Sequence, residues 1–157
     1  MKEHEPSAQA LRMAVLLLGR KSLSREELRQ RLRRKGMETE AVEEALRVCM
    51  ERGYLDEEER ASQIVRSGLR AGHGPLRVRR DLKQRGIPEL LGEKVMEALM
   101  AEGDAMLSVA ARKKLGEMHQ KDPAKKKAAL YRFLLSRGFP SSDILHFIHH
   151  MEENPPT

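Results

Sequence analysis

The chain has 157 residues, of which 39% are hydrophobic and 34% are charged, and its formal charge is +6. A single cysteine excludes internal disulfides and a cysteine-based zinc site. The apolar run at residues 14–18 covers about a quarter of a membrane span and follows acidic residues, so it fits neither a membrane helix nor a signal peptide. We therefore expect a cytoplasmic protein without a membrane partner.

The predicted elements begin with a motif that occurs three times, an amphipathic helix that ends in a basic residue and a glycine. The copies read LRQRLRRKGM at 28–37, VRRDLKQRGI at 78–87 and LYRFLLSRGF at 130–139. Their glycines, Gly36, Gly86 and Gly138, are 50 and 52 residues apart. A period of this size indicates a repeat architecture. The glycine suits a left-handed helix end, and the cation before it suits the negative end of the helix dipole.

Two more helices accompany each copy. After each glycine, apolar residues recur at helical spacing for about 13 residues, and another amphipathic stretch precedes each copy, at 8–19, 57–71 and 105–119. Helix-start signals agree with this reading: Ser24 with Glu27 and Asp56 with Glu59 resemble capping boxes, and Asp122 precedes a proline. The sequence shows no sustained strand pattern.

These patterns predict an all-α protein, an elongated array of three tandem three-helix repeats. The predicted repeats are 8–52, 53–102 and 103–152, and residues 1–7 and 153–157 are predicted to be frayed termini. A single unit of about 50 residues would bury little apolar surface, so neighbouring units are expected to pack in series.

Basic residues concentrate in the middle repeat, where seven lie between Arg66 and Arg85 with Asp81 as the only acid among them. A helical projection places basic residues of all three copies on the outer side. A basic stripe of this kind marks a surface for a polyanion or an acidic protein. A solvated helix face explains the same pattern equally well. The candidate binding residues are Arg77, Arg80, Lys83, Arg85, Arg33, Arg34, Arg66, Arg70, Lys125 and Arg132.

The sequence contains no recognisable catalytic motif. No glycine-rich loop ends in Lys-Ser or Lys-Thr, so we expect no ATP site. The cluster His146, His149 and His150 has metal-ligand spacing but lacks the glutamate of the HExxH motif, and a solvated cluster is the favoured interpretation. Phe139 and Phe147 occupy core positions, which disfavours base stacking. We predict a protein that is no enzyme and holds no cofactor or metal.

One segment carries a family resemblance. Residues 53–61 (GYLDEEERA) and 74–87 (GPLRVRRDLKQRGI) resemble the central signature of the bacterial RecX regulatory proteins, and residues 24–36 and 131–144 resemble that family's first and third repeats. The resemblance covers residues 8–152. Arg60 departs from the aromatic residue that the family usually carries before this alanine. Within the signature we assign structural roles to Tyr54 as a packing residue, Asp56 as a helix cap, Leu55, and the three glycines.

The resemblance implies a function as well as a fold. Proteins of this family bind the filament that the RecA recombinase forms on single-stranded DNA, lie in its helical groove and restrain strand exchange, ATP hydrolysis and coprotease activity. They do so by blocking filament growth or promoting disassembly, in DNA repair, homologous recombination and the SOS response. The expected partner is thus RecA with its DNA, bound by a monomer with weak affinity for nucleic acid alone. The alternative is a stand-alone helical DNA-binding protein.

Overall fold

The structure, a computed structural model, describes residues 6–100 and 103–154. Over these two ranges the chain forms nine α-helices and no strand, which confirms the all-α prediction. None of the described helices is long and apolar enough to cross a bilayer. The predicted frayed ends include residues 1–5 and 155–157, which lie outside the described ranges. The helices are α1 (Pro6–Arg20), α2 (Arg25–Arg34), α3 (Thr39–Glu51), α4 (Glu57–Arg70), α5 (Pro75–Gln84), α6 (Glu89–Leu99), α7 (Gly103–Glu117), α8 (Pro123–Ser136) and α9 (Ser141–Glu153).

The three basic-glycine motifs end α2, α5 and α8 in the same way. Gly36, Gly86 and Gly138 all adopt positive φ, at 84°, 79° and 95°. In each copy the glycine N–H donates to the carbonyl three residues back, and the next N–H donates to the carbonyl five residues back, with donor–acceptor distances of 2.9–3.3 Å. This is the Schellman motif, in which a left-handed residue closes the helix. All three glycines therefore lie at a helix end in the left-handed conformation.

The predicted helix starts are also present. The Ser24 hydroxyl accepts a hydrogen bond from the Glu27 N–H, and the Glu27 carboxylate accepts one from the Ser24 N–H, both at 3.0 Å. The carboxylate of Asp56 accepts from the Glu59 N–H at 3.1 Å. That of Asp122 accepts from the Ala124 N–H at 3.0 Å. Each side chain satisfies a backbone donor that the first helical turn leaves free.

The described chain divides into two compact units. The first unit contains residues 6–64 and 82–95, and the second contains residues 65–81 and 96–154 except for the gap at 101–102. The first core is built mainly from α1, α2 and α3, around Leu28, Leu32 and Leu46. The second is built from α7, α8 and α9, around Leu130 and Phe139. The division falls inside α4, α5 and α6, so the predicted middle repeat contributes segments to both units.

Candidate functional site

In the first unit, the end of α5 lies against the start of α2. The Ser24 hydroxyl, which is fully buried, donates a hydrogen bond to the Arg85 carbonyl oxygen while it accepts one from Glu27. Gly86 contacts the side chain of Glu26 so closely that an added Cβ would lie only 3.0 Å from Glu26 Cγ. The backbone of the basic-glycine motif is therefore fixed at this junction, whereas the side chain of Arg85 remains exposed.

A buried ion pair strengthens the same junction. The guanidinium of Arg60 is only 8% exposed and donates to both carboxylate oxygens of Glu27, at 2.8 and 2.9 Å. Burial alone would raise the pKa of Glu27, but the hydrogen bonds from Arg60 and from the Ser24 N–H outweigh it and lower that pKa below its ordinary value. Arg60, which departs from the family pattern, thus has a charged partner on α2.

The second unit contains an equivalent junction, in which the end of α8 lies against the start of α5. The Gly74 N–H donates to the Arg137 carbonyl at 2.7 Å, and the Leu76 N–H donates to the Gly138 carbonyl at 2.9 Å. Gly138 leaves no room for a side chain, since a Cβ would lie 2.7 Å from the backbone nitrogen of Arg77. The second and third copies of the motif therefore have one shared role, to attach a helix end to the helix start of the preceding repeat.

Arg77 differs in part from its sequence-based prediction. It was expected on the outer side of α5, but it is half-buried, and its Nε atom is enclosed without a hydrogen-bond partner. The reason is its place in the second junction, where its backbone and Cβ pack against Gly138. Close packing on one side of this residue restricts how far its guanidinium can extend into solvent.

The other nine candidate cations are exposed, and we call them the exposed basic set. Within the described residues none of them forms an ion pair within 4 Å, in contrast to Arg29, Arg47 and Arg60, which are each paired with glutamates. The hydrogen bond from Arg29 is the main cause of the lowered pKa of Glu43, and the charge of Arg33 contributes to it. In the first unit the set comprises Arg33, Arg34, Lys83 and Arg85, and in the second unit it comprises Arg66, Arg70, Arg80, Lys125 and Arg132.

The signature around Tyr54 has a structural core of its own. Leu55 is buried, with 7% of its surface exposed, and its N–H donates to the Cys49 carbonyl. Tyr54, expected to pack beside the cap, exposes 48% of its surface. Leu55 rather than Tyr54 therefore fills the core here, and Asp56 caps α4 as predicted.

The histidine cluster offers no evident metal site. His146, His149 and His150 are exposed on α9, and the Nε2 atom of His149 lies 3.2 Å from the Oε1 atom of Glu153. The described part of the chain contains no group of three or more His, Cys, Asp and Glu side chains that could hold a metal ion.

Comparison with known proteins agrees with the repeat order. Models of the first, second and third three-helix domains of RecX match residues 10–47, 56–96 and 102–148. The chain is similar to the regulatory protein RecX of Vibrio parahaemolyticus, with 31% identity over 153 residues and 98% of both chains covered. It is also similar to that of Halorhodospira halophila, with 33% identity over 147 residues, covering 92% of this chain and 89% of the relative.

Solved structures agree on the fold. The crystal structure of RecX from Lactobacillus salivarius superposes with a TM-score of 0.82, covering 94% of this chain and 97% of that one at 17% identity. A second RecX crystal structure superposes with a TM-score of 0.79 at 20% identity, covering 92% of this chain and 72% of that chain. Three domain matches in order, together with the relatives that span nearly the whole chain, show that this chain belongs to the RecX family of regulatory proteins.

Proposed function

We propose that this chain regulates the RecA recombinase by binding the filament that RecA forms on single-stranded DNA. Bound there, it restrains strand exchange, ATP hydrolysis and coprotease activity by blocking growth of the filament or promoting its disassembly. It acts by binding alone and uses no cofactor. Membership of the RecX family and the resemblance of residues 53–87 to the family signature support this partner.

One structural observation carries the proposal: no member of the exposed basic set forms an ion pair within 4 Å among the described residues. Two arginines that join helices of this chain are paired, Arg60 with Glu27 and Arg29 with Glu43 at 2.8 Å. The members of the exposed basic set have no such partner among the described residues. Unpaired surface cations attract phosphates, and the counterions they displace favour binding at low salt. These residues are the proposed contacts to the filament and its DNA.

The exposed basic set is distributed over both units, and this distribution favours an extended partner. Each unit carries at least four members of the exposed basic set. Binding of one module raises the effective concentration of the next at the same partner, so several weak contacts add up to useful affinity. A filament, with its repeating protomers and continuous phosphate backbone, offers such repeated contacts, whereas a short duplex offers fewer.

The decisive experiment is a titration of RecA's ATP hydrolysis on single-stranded DNA with the full-length chain. We expect the hydrolysis rate and the yield of strand exchange to fall as the chain is added. An unchanged rate at a few micromolar of folded protein would contradict the proposal. Binding to bare DNA, measured in parallel, separates the alternative: a stand-alone DNA-binding protein binds duplex tightly with a steep salt dependence and leaves RecA unaffected.

A further inference from the structure

A groove of about 800 Å³ lies within the second unit, beside the second junction, with which it shares Arg137. Its walls come from the ends of α4 and α6, from α7 and from α8. This volume falls within the range of about 300–1,000 Å³ that is typical of binding pockets. The apolar part of the wall includes Leu69, Leu99, Met100, Met106 and Val109.

Helix α7 has an apolar face that its own core does not use. Leu107 and Ala111 are buried in the core of the unit, at 4% and 0% exposure. Val109 lies two residues from each of them, which places it on a different side of the helix, and it is 68% exposed. Val109 therefore adds exposed apolar surface to the groove wall beside Met106.

The groove is also strongly basic. Arg70, Lys113, Lys114 and Arg137 line it, and Glu117 is the one acidic residue among the described residues of its wall. Two of the cations are held in place by an aromatic ring: Lys114 Nζ lies 4.9 Å from the centre of the Phe133 ring, and the Arg137 guanidinium carbon lies 5.2 Å from it. Cation–π contacts at this range orient the charges before any ligand arrives.

We propose that this groove binds an acidic, amphipathic peptide segment of a partner protein. Apolar side chains of the segment lie against Met106 and Val109, and its carboxylates meet the surrounding cations. Amphipathic segments bind in this way to apolar grooves, and methionines adapt such a surface to different side chains. Charge complementarity favours an acidic partner, because the described wall holds four cations and one carboxylate, and of the four only Arg137 also donates to a backbone carbonyl, that of Ala71. The groove shares Arg70 with the exposed basic set, but peptide binding there does not require the proposed regulation of RecA.

Nucleic acid fits the groove less well than a peptide. Bases stack on exposed aromatic faces, but the Phe133 ring is only half-exposed and its neighbours Lys114 and Arg137 already occupy positions over it. The phosphate backbone would use the cations but would leave the apolar wall of Met106 and Val109 uncovered. A segment with both carboxylates and apolar side chains satisfies both parts of the groove.

The test uses the full-length chain labelled with ¹³C at its methionine methyl groups. The probe is a synthetic amphipathic helical peptide of about 16 residues, with leucine on one face and glutamate on the other. We expect saturable shifts of the Met100 and Met106 methyl signals at low salt. Met13 and Met50, which belong to the first unit, should not shift. The same peptide with lysine in place of glutamate should bind at least about tenfold more weakly.

Variants locate the binding surface. Val109→Asp and Lys113→Glu both change exposed groove residues, so folding is preserved, and each should weaken peptide binding by about tenfold. The matched controls Leu145→Asp and Lys121→Glu change exposed residues of the same unit outside the groove wall and should leave binding within about twofold.

Three results would overturn the proposal. The first is the absence of methyl shifts at about 1 mM peptide, a concentration at which even weak complexes form. The second is equal binding by Val109→Asp and the wild-type chain. The third is an oligodeoxythymidine that shifts Met100 and Met106 at a lower concentration than the peptide does, since this would assign the groove to nucleic acid.

Discussion

The glycines of the three motifs have one backbone conformation but different surroundings. A Cβ added to Gly36 would meet nothing within 4 Å, whereas one added to Gly138 would collide with the backbone of Arg77. Gly36 belongs to the first copy, and its N–H and that of the next residue only close the end of α2. At the residue scale, the helix-ending role of the glycine can therefore be separated from its role in the junction.

This separation gives the first prediction. Gly36→Ala should destabilise the chain by about 1 kcal/mol, the cost of a left-handed alanine. Gly138→Ala incurs the same cost and also forces the junction apart, so we expect about 3 kcal/mol in total. The free energy of unfolding, measured by urea denaturation, checks both values. Equal losses in the two variants would mean that the junction contributes nothing to stability.

A second prediction concerns the pH dependence of the Arg60–Glu27 pair. Glu27→Gln should lower the free energy of unfolding by about 2 kcal/mol at pH 7, because charged hydrogen bonds are lost. The folded-state pKa of Glu27 is lowered from the ordinary value of 4.5. The stabilisation by its charge is therefore fully present above pH 4.5 and is lost as the pH falls through the lowered pKa.

The measurement is urea denaturation of wild type and variant between pH 7 and pH 3. Their difference should be constant down to about pH 5 and then shrink. Glu44→Gln is the control, since Glu44 pairs with Arg47 on the exposed surface of α3 and its loss should change little. A difference between wild type and Glu27→Gln that does not depend on pH would show that the charge of Glu27 is not what stabilises the junction.

At the scale of elements, the start of α5 packs so closely against the end of α8 that a glycine is required there. Gly74 lacks the positive φ of the motif glycines, yet a Cβ there would lie 2.6 Å from the carbonyl group of Gly138. Gly74→Ala thus tests packing without backbone strain. We expect a loss of about 3 kcal/mol, the upper range for overpacking.

The matched control for Gly74→Ala lies in α1. Gly19 is exposed near the end of that helix, and a Cβ there would meet nothing within 4 Å. Gly19→Ala should raise stability by up to about 1 kcal/mol, since alanine is the better helix former. If Gly74→Ala proves as stable as the wild-type chain in thermal and urea unfolding, then α5 and α8 separate at little cost and the junction is not a structural element.

The helices could be predicted from the sequence, but the junctions could not. Helical periodicity, helix-ending glycines and N-caps such as Ser24 are local signals that can be recognised within about 13 residues. The hydrogen bond from Ser24 to Arg85 joins residues 61 positions apart, and no local pattern pairs them. Arg60 stands where the family usually carries an aromatic residue. Its ion pair could not be predicted, because its partner Glu27 lies 33 positions away on another helix. The capping-box pattern predicted the role of Glu27 at the start of α2, but it did not predict the ion pair of Glu27 with Arg60.

The exposed basic set shows the same limit for the candidate site. A helical projection gives the outward direction of a side chain on its own helix, and six of the seven cations that it places on the outer side are exposed. The projection fails for Arg77 because the contact that half-buries it comes from α8, more than 60 residues later. The groove around Phe133 was also missed, since Lys113, Lys114 and Arg137 converge only in the folded unit.

For the whole molecule, the proposed binding to the filament depends on where the cations without an ion-pair partner lie. Arg80 and Lys83 are exposed members of the basic set on α5, and neither forms an ion pair within the described residues. The double variant Arg80→Glu/Lys83→Glu should require about tenfold more protein for half-inhibition of RecA's ATP hydrolysis. Its binding to the filament should also depend less steeply on salt, because fewer counterions are released.

The control for this last prediction is Lys21→Glu/Lys121→Glu, which changes the formal charge of +6 by the same amount at exposed lysines outside the basic set. If net charge alone attracted the chain to a nucleoprotein filament, the two double variants would inhibit equally poorly. If α5 makes specific contacts, only Arg80→Glu/Lys83→Glu loses inhibition while both unfold at the same urea concentration. Normal inhibition by a folded Arg80→Glu/Lys83→Glu protein would remove α5 from the proposed binding surface.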